Sequence, residues 1–285
     1  MAKSWDFLQH LVFNFGAELA SNPTQYMMEC AFRAHELNWR YVQFEFEPDK
    51  LGEAVQAMRL LGFHGGNCTI PYKVAITEHL DRLGDSARLM GAVNCVVRDG
   101  DHLVGENTDG KGFLQSFAEI ASPTGKSVVI LGAGGAARAI AVELALAGAR
   151  QITVVNRNEQ RGQDLVSILS TQTKTIANFV KWQGDYVVDD QAEAVINATS
   201  IGMSDPDARV PLAVESLNPS TIVADVIVNP PNTRLIREAR QRGCTALDGL
   251  GMVVNQAAIA FNFWTGFQPD ADVMRRALQE VLMLD

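Results

Sequence analysis

The run Gly132-Ala133-Gly134-Gly135-Ala136-Ala137 stands between the apolar stretch 127–131 and a long alanine-rich stretch. Glycines at this spacing let the chain turn tightly and bring backbone close to a pyrophosphate. The small residues Ala136 and Ala137 let a helix start against the strand, with its free N–H groups facing an anion. Between a strand and a helix, the motif points to a dinucleotide; the plain alternative is a tight turn that packs helix on strand. Two more segments carry groups able to hold or move a proton. Asn67-Cys68-Thr69-Ile70-Pro71-Tyr72-Lys73 puts one of the chain's seven lysines two residues past a rigid proline. Burial or a charged neighbour can tune such a lysine for acid–base work, although most lysines are simply solvated. Asn107-Thr108-Asp109-Gly110, with Asn94 upstream, supplies a carboxylate and several hydrogen-bonding groups. An Asp that holds a Lys, with Asn and Thr to bind hydroxyls, makes a site for a polyol.

The strand after the glycine turn ends in Asn156-Arg157. An NAD site usually presents an acid to the ribose hydroxyls about twenty residues beyond the turn. No acid stands at 156–158, and Glu159 is the nearest. Arg157 and Arg161 suit a 2′-phosphate, because a guanidinium matches phosphate geometry. This favours NADP and leaves NAD open; two solvated surface arginines are the alternative.

These groups need elements to position them. Residues 23–38 place Tyr26, Met27, Cys30, Ala31, Ala34 and Leu37 near one helical face, with Pro23 in the first turn. The stretch 39–46 alternates like a half-buried strand, 48–61 reads as a helix stopped by Gly62, and 64–73 as a short strand ended by Pro71. Residues 92–97 and 102–107 form a predicted hairpin across Arg98-Asp99-Gly100-Asp101. After the turn-rich link 121–126 the pattern changes. Apolar strands at 127–131, 151–157 and 221–228 alternate with helices, and 178–200 reads as a helix and strand pair. Strands apolar on both faces mean a parallel sheet covered on both sides. Helices at 252–265 and 271–283 follow the glycine-rich 249–252.

A length of 285 residues suits one large domain or two modest ones. With 47% hydrophobic and 20% charged residues the chain is globular, which excludes disorder. The net charge of -9, from 24 basic and 33 acidic residues, argues against nucleic acid as a partner. Cys30, Cys68, Cys95 and Cys244 form no CxxC pair, and five histidines add no cluster. No metal is expected, and a reducing, cytoplasmic compartment is. The first twenty residues carry Asp6 and Glu18 without a long apolar run, so they read as neither a secretory signal nor a membrane span. No membrane partner is expected. There is no internal repeat.

Six ordered blocks resemble the shikimate dehydrogenase family, including its quinate/shikimate branch: NCTIPYK (67–73), GAVNCVV (91–97), GENTDGKGF (105–113), LGAGGAARAI (131–140), NATSIGM (197–203) and GLGMVVNQAAIAFNFWTG (249–266). The resemblance covers nearly the whole chain. It implies a two-domain α/β fold: an open α/β substrate domain at 1–113, a Rossmann-like NAD(P)-binding domain at 114–249, and C-terminal helices at 250–285 that return to the first. The implied site lies in the cleft between domains. The implied reaction is reversible, NADP-linked hydride transfer between a nicotinamide and the ring hydroxyl or ketone of a cyclic polyol acid, the 3-dehydroshikimate/shikimate pair. Carried over by motif, Lys73 is the acid/base and Asp109 its partner. Asn22, Thr24, Thr69, Asn94 and Gln256 are the implied substrate contacts. Gly132, Gly134, Gly135, Ala136, Asn156, Arg157, Arg161, Thr199, Ser200, Met203, Val226, Val228, Gly249 and Met252 are the implied cofactor contacts. Asn197 and Asp248 fit equally well as turn or cap residues.

The chain also departs from that family. Two serines in an SxSP-like stretch before the first helix usually grip the substrate carboxylate; the matching stretch here is Asn22-Pro23-Thr24-Gln25. Thr24 keeps a hydroxyl, and Asn22 replaces one with an amide. A tyrosine usual before the Asn-Pro that follows the DVIV strand is Val228, and the first strand, HLVFNFGAELA, lacks the usual glycine-rich start. These changes fit either drift in a shikimate enzyme or a paralogue acting on quinate or another cyclic polyol acid. A third reading is an inactive metabolite-binding protein on the same fold, against which the intact Lys73 and Asp109 weigh. The partner in each case is a small cyclic hydroxy acid, and monomer and homodimer both stay open.

Overall fold

The computed structural model describes residues 7–284, so Asp6 of the N-terminal reading lies outside the described residues. The chain divides into two compact units, Met1–Thr108 with Ala257–Asp285, and Asp109–Gln256.

The first unit opens with β1 (His10–Gly16), α1 (Thr24–Ala34), β2 (Trp39–Glu45), α2 (Leu51–Leu60) and β3 (Gly65–Cys68). Then come α3 (Tyr72–Ala75), β4 (Arg82–Leu83), α4 (Asp85–Met90), β5 (Cys95–Asp99) and β6 (His102–Glu106). The sheet order is β2-β1-β3-β5-β6-β4. β1 runs parallel to β2 and β3, whereas β5 is antiparallel to β3 and β6. The expected hairpin closes at the Asp99↔His102 pair, with Gly100 at φ 60°, a conformation that favours glycine. Phe13 and Phe15 of β1 pack with Leu51, Val55 and Met58 of α2 in one apolar core. The helical spacing of those three residues is what buries them together.

α5 (Thr108–Ala118) leads into the second unit. There β7 (Ser127–Leu131), α6 (Gly135–Leu146), β8 (Gln151–Asn156), α7 (Glu159–Gln172) and β9 (Ile176–Lys181) follow in turn. β10 (Ala194–Asn197), β11 (Ile222–Asp225), α8 (Arg234–Gln241) and β12 (Thr245–Leu247) complete the sheet. All its strands are parallel, in the order β12-β11-β10-β7-β8-β9. The strand order reverses between β7 and β10, and ligands of such sheets bind beyond the carboxyl ends of strands at that switch point. The helix expected within 178–200 is corrected: 176–181 is β9, and 182–193 forms turns before β10. At Asp189 the side chain accepts the Gln191 N–H at 2.7 Å, a local bond that competes with helix formation.

The chain closes with α9 (Leu250–Thr265) and α10 (Ala271–Val281). From Ala257 onward these helices belong to the first unit. Trp264 Nε1 donates to the Val96 carbonyl at 2.9 Å, and Phe261 stacks on Phe32 at 5.3 Å. The Tyr26 hydroxyl of α1 donates to Glu280 of α10 at 2.9 Å. Among the described residues no helix is long and apolar enough to cross a membrane.

Candidate active site

In the first unit, Asn22 lies between β1 and α1, Thr24 opens α1, and Thr69 directly follows β3. Thr69 N–H donates to the Phe15 carbonyl at 2.8 Å. A Cβ on Gly16 would lie 2.5 Å from Leu19 Cδ2 and 2.7 Å from Thr69 Cγ2. Only glycine therefore lets the loop after β1 fold so closely over Thr69. Glu45 Oε1 accepts the Leu19 N–H at 2.5 Å, and Asn22 Oδ1 accepts the Thr24 N–H at 2.9 Å. Asn22, Thr24 and Thr69 are all half-buried. Among the described residues, the Asn22 amide nitrogen and the Thr24 and Thr69 hydroxyls have no protein partner.

Lys73 sits half-buried on α3, and its carbonyl accepts the Val93 N–H at 2.8 Å. The next residue, Asn94, is buried and tied to Thr108 twice: Oδ1 accepts the Thr108 N–H at 2.6 Å, and Nδ2 donates to Thr108 Oγ1 at 3.0 Å. Asn67 Nδ2 donates to the Asn94 carbonyl at 3.0 Å, and the Tyr41 hydroxyl donates to Asn67 Oδ1 at 2.8 Å. Burial, more than the nearby Cys95 and Cys68, holds the Tyr41 phenol well above its usual range, so it stays a donor. The chain Tyr41–Asn67–Asn94–Thr108 is uncharged. Asp109 follows Thr108 and is half-buried at the start of the second unit.

In the second unit, Gly132 has φ 110°, and a Cβ there would lie 2.9 Å from the Ala198 carbonyl. Gly134 and Gly135 face open space. α6 starts behind the extended Gly134 with no side-chain cap and no acid in its first turn, which includes Ala136. Its first N–H groups are thus available to an anion, so the turn fits a cofactor pyrophosphate. Asn156 Nδ2 donates to the Asn158 carbonyl at 2.8 Å, and Asn158 Oδ1 caps α7 by accepting the Arg161 N–H at 3.0 Å. Arg157 and Arg161 are exposed, and among the described residues neither guanidinium pairs with a carboxylate. That fits a 2′-phosphate.

Beyond β10, Asn197 Nδ2 donates to Asp225 Oδ1 at 3.0 Å, and Thr199 Oγ1 donates to Asn197 Oδ1 at 2.7 Å. Thr233 Oγ1 donates to Asp225 Oδ2 at 2.7 Å, and the Ile227 N–H to Asp225 Oδ1 at 3.2 Å. Burial pushes the Asp225 carboxyl up to about 6, against the Thr233, Ile227 and Asn197 bonds that lower it. Asn197 and Thr199 thus shape the loop that carries the exposed Ser200 and Met203. Val226 and Val228 are half-buried past β11, and a Cβ on Gly249 would lie 2.8 Å from the Val226 carbonyl. Asp248 Oδ1 accepts the Leu250 N–H at 3.1 Å, the role of a cap for α9. α5 meets α9 at Gly112, where a Cβ would lie 2.6 Å from both the Met252 carbonyl and the Gln256 N–H nitrogen. Gln256 is buried. Sequence reasoning missed Asp225 and Asn158. A lone acid in the apolar run 222–228, and an Asn just before a helical stretch, are the signals that could have found them.

Family models match the chain in order: the shikimate dehydrogenase substrate binding domain at residues 15–96, shikimate/quinate 5-dehydrogenase at 116–204, and the shikimate 5′-dehydrogenase C-terminal domain at 249–279. A shikimate dehydrogenase (NADP(+)) of Desulforamulus reducens is 40% identical over 274 residues, 94% of each chain. The chain belongs to the shikimate dehydrogenase family. Among solved structures, the ligand-free 5-ketofructose reductase of a Gluconobacter strain matches with TM-score 0.95 and 45% identity, covering 97% of this chain and 100% of that one. The shikimate 5-dehydrogenase of Listeria monocytogenes, solved with shikimate and NAD, matches with TM-score 0.89 and 31% identity over 94% of this chain and 96% of that one. The resemblance read from the six motif blocks is therefore a true family relationship. The shikimate dehydrogenase fold, with its parallel Rossmann-type sheet and C-terminal return, is the fold observed.

Proposed function

We propose that this member of the shikimate dehydrogenase family is an NADP-dependent oxidoreductase that interconverts a ketone and a secondary alcohol on a polyhydroxylated substrate. The 3-dehydroshikimate/shikimate pair is the first substrate reading. The observation that supports the activity most is the uncapped glycine turn opening α6, with two arginines past β8 that pair with no carboxylate among the described residues. The bound nicotinamide supplies or accepts the hydride. Lys73 donates a proton to the carbonyl oxygen as the alcohol forms, and takes it back in the reverse direction. Asp109 holds the lysine and a neighbouring hydroxyl. A positioned acid of this kind contributes roughly 10²–10⁴ in rate. Thr69, Thr24 and Asn22 offer hydroxyl and amide groups to the substrate, with Asn94 and Gln256 completing its contacts. The N–H groups of Gly134, Gly135 and Ala136, where α6 starts, hold the pyrophosphate, and Arg157 and Arg161 the 2′-phosphate. Thr199, Ser200, Met203, Val226, Val228, Gly249 and Met252 border the rest of the cofactor. A reducing cytoplasm is the compartment this reading places the protein in, because Cys30, Cys68, Cys95 and Cys244 form no CxxC pair in the sequence.

A second substrate reading, a neutral polyhydroxy ketone such as 5-ketofructose, is favoured by two observations. The Gluconobacter 5-ketofructose reductase shares 45% identity with this chain, against 40% for the Desulforamulus shikimate dehydrogenase and 31% for the Listeria shikimate enzyme. The loop at 17–24 has no lysine or arginine, and its Leu19 N–H is held by the Glu45 carboxylate. Amide and hydroxyl groups there suit sugar hydroxyls, while a substrate carboxylate would meet no cation in that loop. Absorbance at the reduced-nicotinamide band separates the readings. Purified protein is given NADPH with 3-dehydroshikimate or 5-ketofructose, and NADP+ with shikimate or quinate, each repeated with the NAD form. Faster turnover of the acids supports the first reading, and faster ketose reduction the second. Tight NADP+ binding with no turnover on any substrate overturns both.

A further inference from the structure

Gln43 and Glu45 stand two residues apart on β2, so their side chains rise from the same face of the sheet. Both reach Leu19, in the loop between β1 and α1. Gln43 Nε2 donates to the Leu19 carbonyl at 3.3 Å, and Glu45 Oε1 accepts the Leu19 N–H at 2.5 Å. Gln43 is itself steadied by the buried Asn14, whose Nδ2 donates to Gln43 Oε1 at 3.3 Å. The strand register allows this reach: Asn14 lies opposite Gln43, and Gly16 opposite Glu45. With no Cβ at Gly16, the loop folds back until the Leu19 side chain is buried. The Leu19 carbonyl also accepts the Asn22 N–H at 2.9 Å, so the grip on Leu19 is one hydrogen bond away from a proposed substrate contact.

That grip needs an acceptor for the Leu19 N–H, not an anion, and a glutamine oxygen would serve in place of the Glu45 carboxylate. The charge is therefore surplus to the fold. Among the described residues no lysine or arginine pairs with Glu45, nor with Glu47 two residues on. Two observations bring the charge to the substrate groups. A Cβ on Gly16, the residue opposite Glu45, would lie 2.7 Å from Thr69 Cγ2. Burial first, and then the Glu47 and Glu45 carboxylates, hold the Tyr72 phenol above its usual range, and Tyr72 directly precedes Lys73 on α3. An uncompensated anion here disfavours a second one and is indifferent to an uncharged polyol. We propose that Glu45 is a specificity-determining residue: its carboxylate turns away substrates that carry a carboxylate of their own and admits neutral polyhydroxy ketones, while its bond to Leu19 positions the loop. This rests on the ketose reading above.

The test is equilibrium binding of shikimate and of its neutral methyl ester, with NADP+ present, to wild type, Glu45→Gln and Glu45→Ala. The ester keeps the ring and its hydroxyls and lacks the charge. Glu45→Gln retains an acceptor for Leu19 and should tighten shikimate by about tenfold at low salt, with the ester unmoved. Because Glu45 is exposed, the gain should shrink as salt screens it. Glu45→Ala loses the acceptor as well, so it should favour acid over ester to the same extent while weakening the ester. Equal changes for acid and ester in Glu45→Gln would leave only a structural role and overturn the charge filter. An unchanged shikimate affinity in that variant would overturn it too. Reduction of 5-ketofructose by wild type with NADPH is measured alongside. Its absence would sink the ketose reading alone, since the filter is decided by the difference between acid and ester.

Discussion

Two buried polar networks do the same job in the two units, with different chemistry. In the first unit, Asn94 fixes the start of α5 through Thr108 and is itself held by Asn67 and Tyr41. Every group in that chain is neutral. In the second unit, Asn197 fixes the loop past β10, but its partner is Asp225, a carboxyl only 2% exposed. The neutral chain costs little to bury once satisfied, and none of its four side chains ionises near neutral pH. The carboxyl must either lose solvation as an anion or take up a proton, and burial moves it toward the proton. Equal geometric order can therefore carry unequal pH dependence, and the nucleotide-binding unit is the one that holds the titrating group.

The largest effect that would break this comparison concerns Lys73, which stands beside the neutral chain. Lys73→Ala should lower kcat on the order of 10³-fold while NADP+ still binds, as read by steady-state rates and cofactor titration. Normal turnover would remove Lys73 from the mechanism. Asp225 comes next. Its folded value is raised from 3.8 to about 6, so the folded chain binds the proton more tightly than the unfolded one. The stability this gives is fully present below 3.8 and is lost as pH rises through about 6. At roughly 1.4 kcal/mol per unit the loss is about 3 kcal/mol at most. Denaturant melts of wild type and Asp225→Asn across that window should show the wild-type advantage shrinking as pH rises. A constant gap would mean that Asp225 titrates near its ordinary value.

Asn94→Ala sharpens the comparison from the other side. It leaves the buried Thr108 N–H without the Asn94 Oδ1 acceptor and should cost about 1–3 kcal/mol in urea unfolding, with no change across pH 4 to 7. A pH-dependent cost would show that the neutral network is coupled to a charge. The smallest expected effect is Asn22→Ser. It exchanges the amide beside Thr24 for a hydroxyl and should move the ratio of kcat/KM between acid and ketose substrates several-fold toward the acids. An unmoved ratio would place substrate choice elsewhere than in the loop after β1.

Local pattern made much of the second unit legible. β7 matches the apolar run 127–131, because a strand buried on both faces needs no alternation. The glycine turn was legible because its spacing reports backbone conformation directly, and Gly132 does take the positive φ the motif requires. The failure at 178–200 has a local cause: apolar residues in a short edge strand and in turns can be read as helical when only their spacing is considered. In the first unit the motif residues were visible as polar groups at strand ends, but their bonding was not. Asn94 and Thr108 flank the β5–β6 hairpin, 14 residues apart, and only the strand register sets them side by side.

The sequence by itself determined the family, the parallel sheet with its glycine turn, the arginines in place of a ribose-binding acid, and the departure at Asn22. Each of these is written in residue type and short spacing, where local physics is nearly sufficient. Tertiary structure decided which polar residues organise and which stand open. It assigned Asn197 and Thr199 to a loop built on Asp225 and made Asp248 a helix cap. Among the described residues it left the Thr69 hydroxyl and the Arg157 guanidinium without protein partners. It also brought Asp185 and Arg209 together from different turns. The reason is that hydrogen-bond satisfaction and burial depend on neighbours distant in the chain, and no local spacing encodes them.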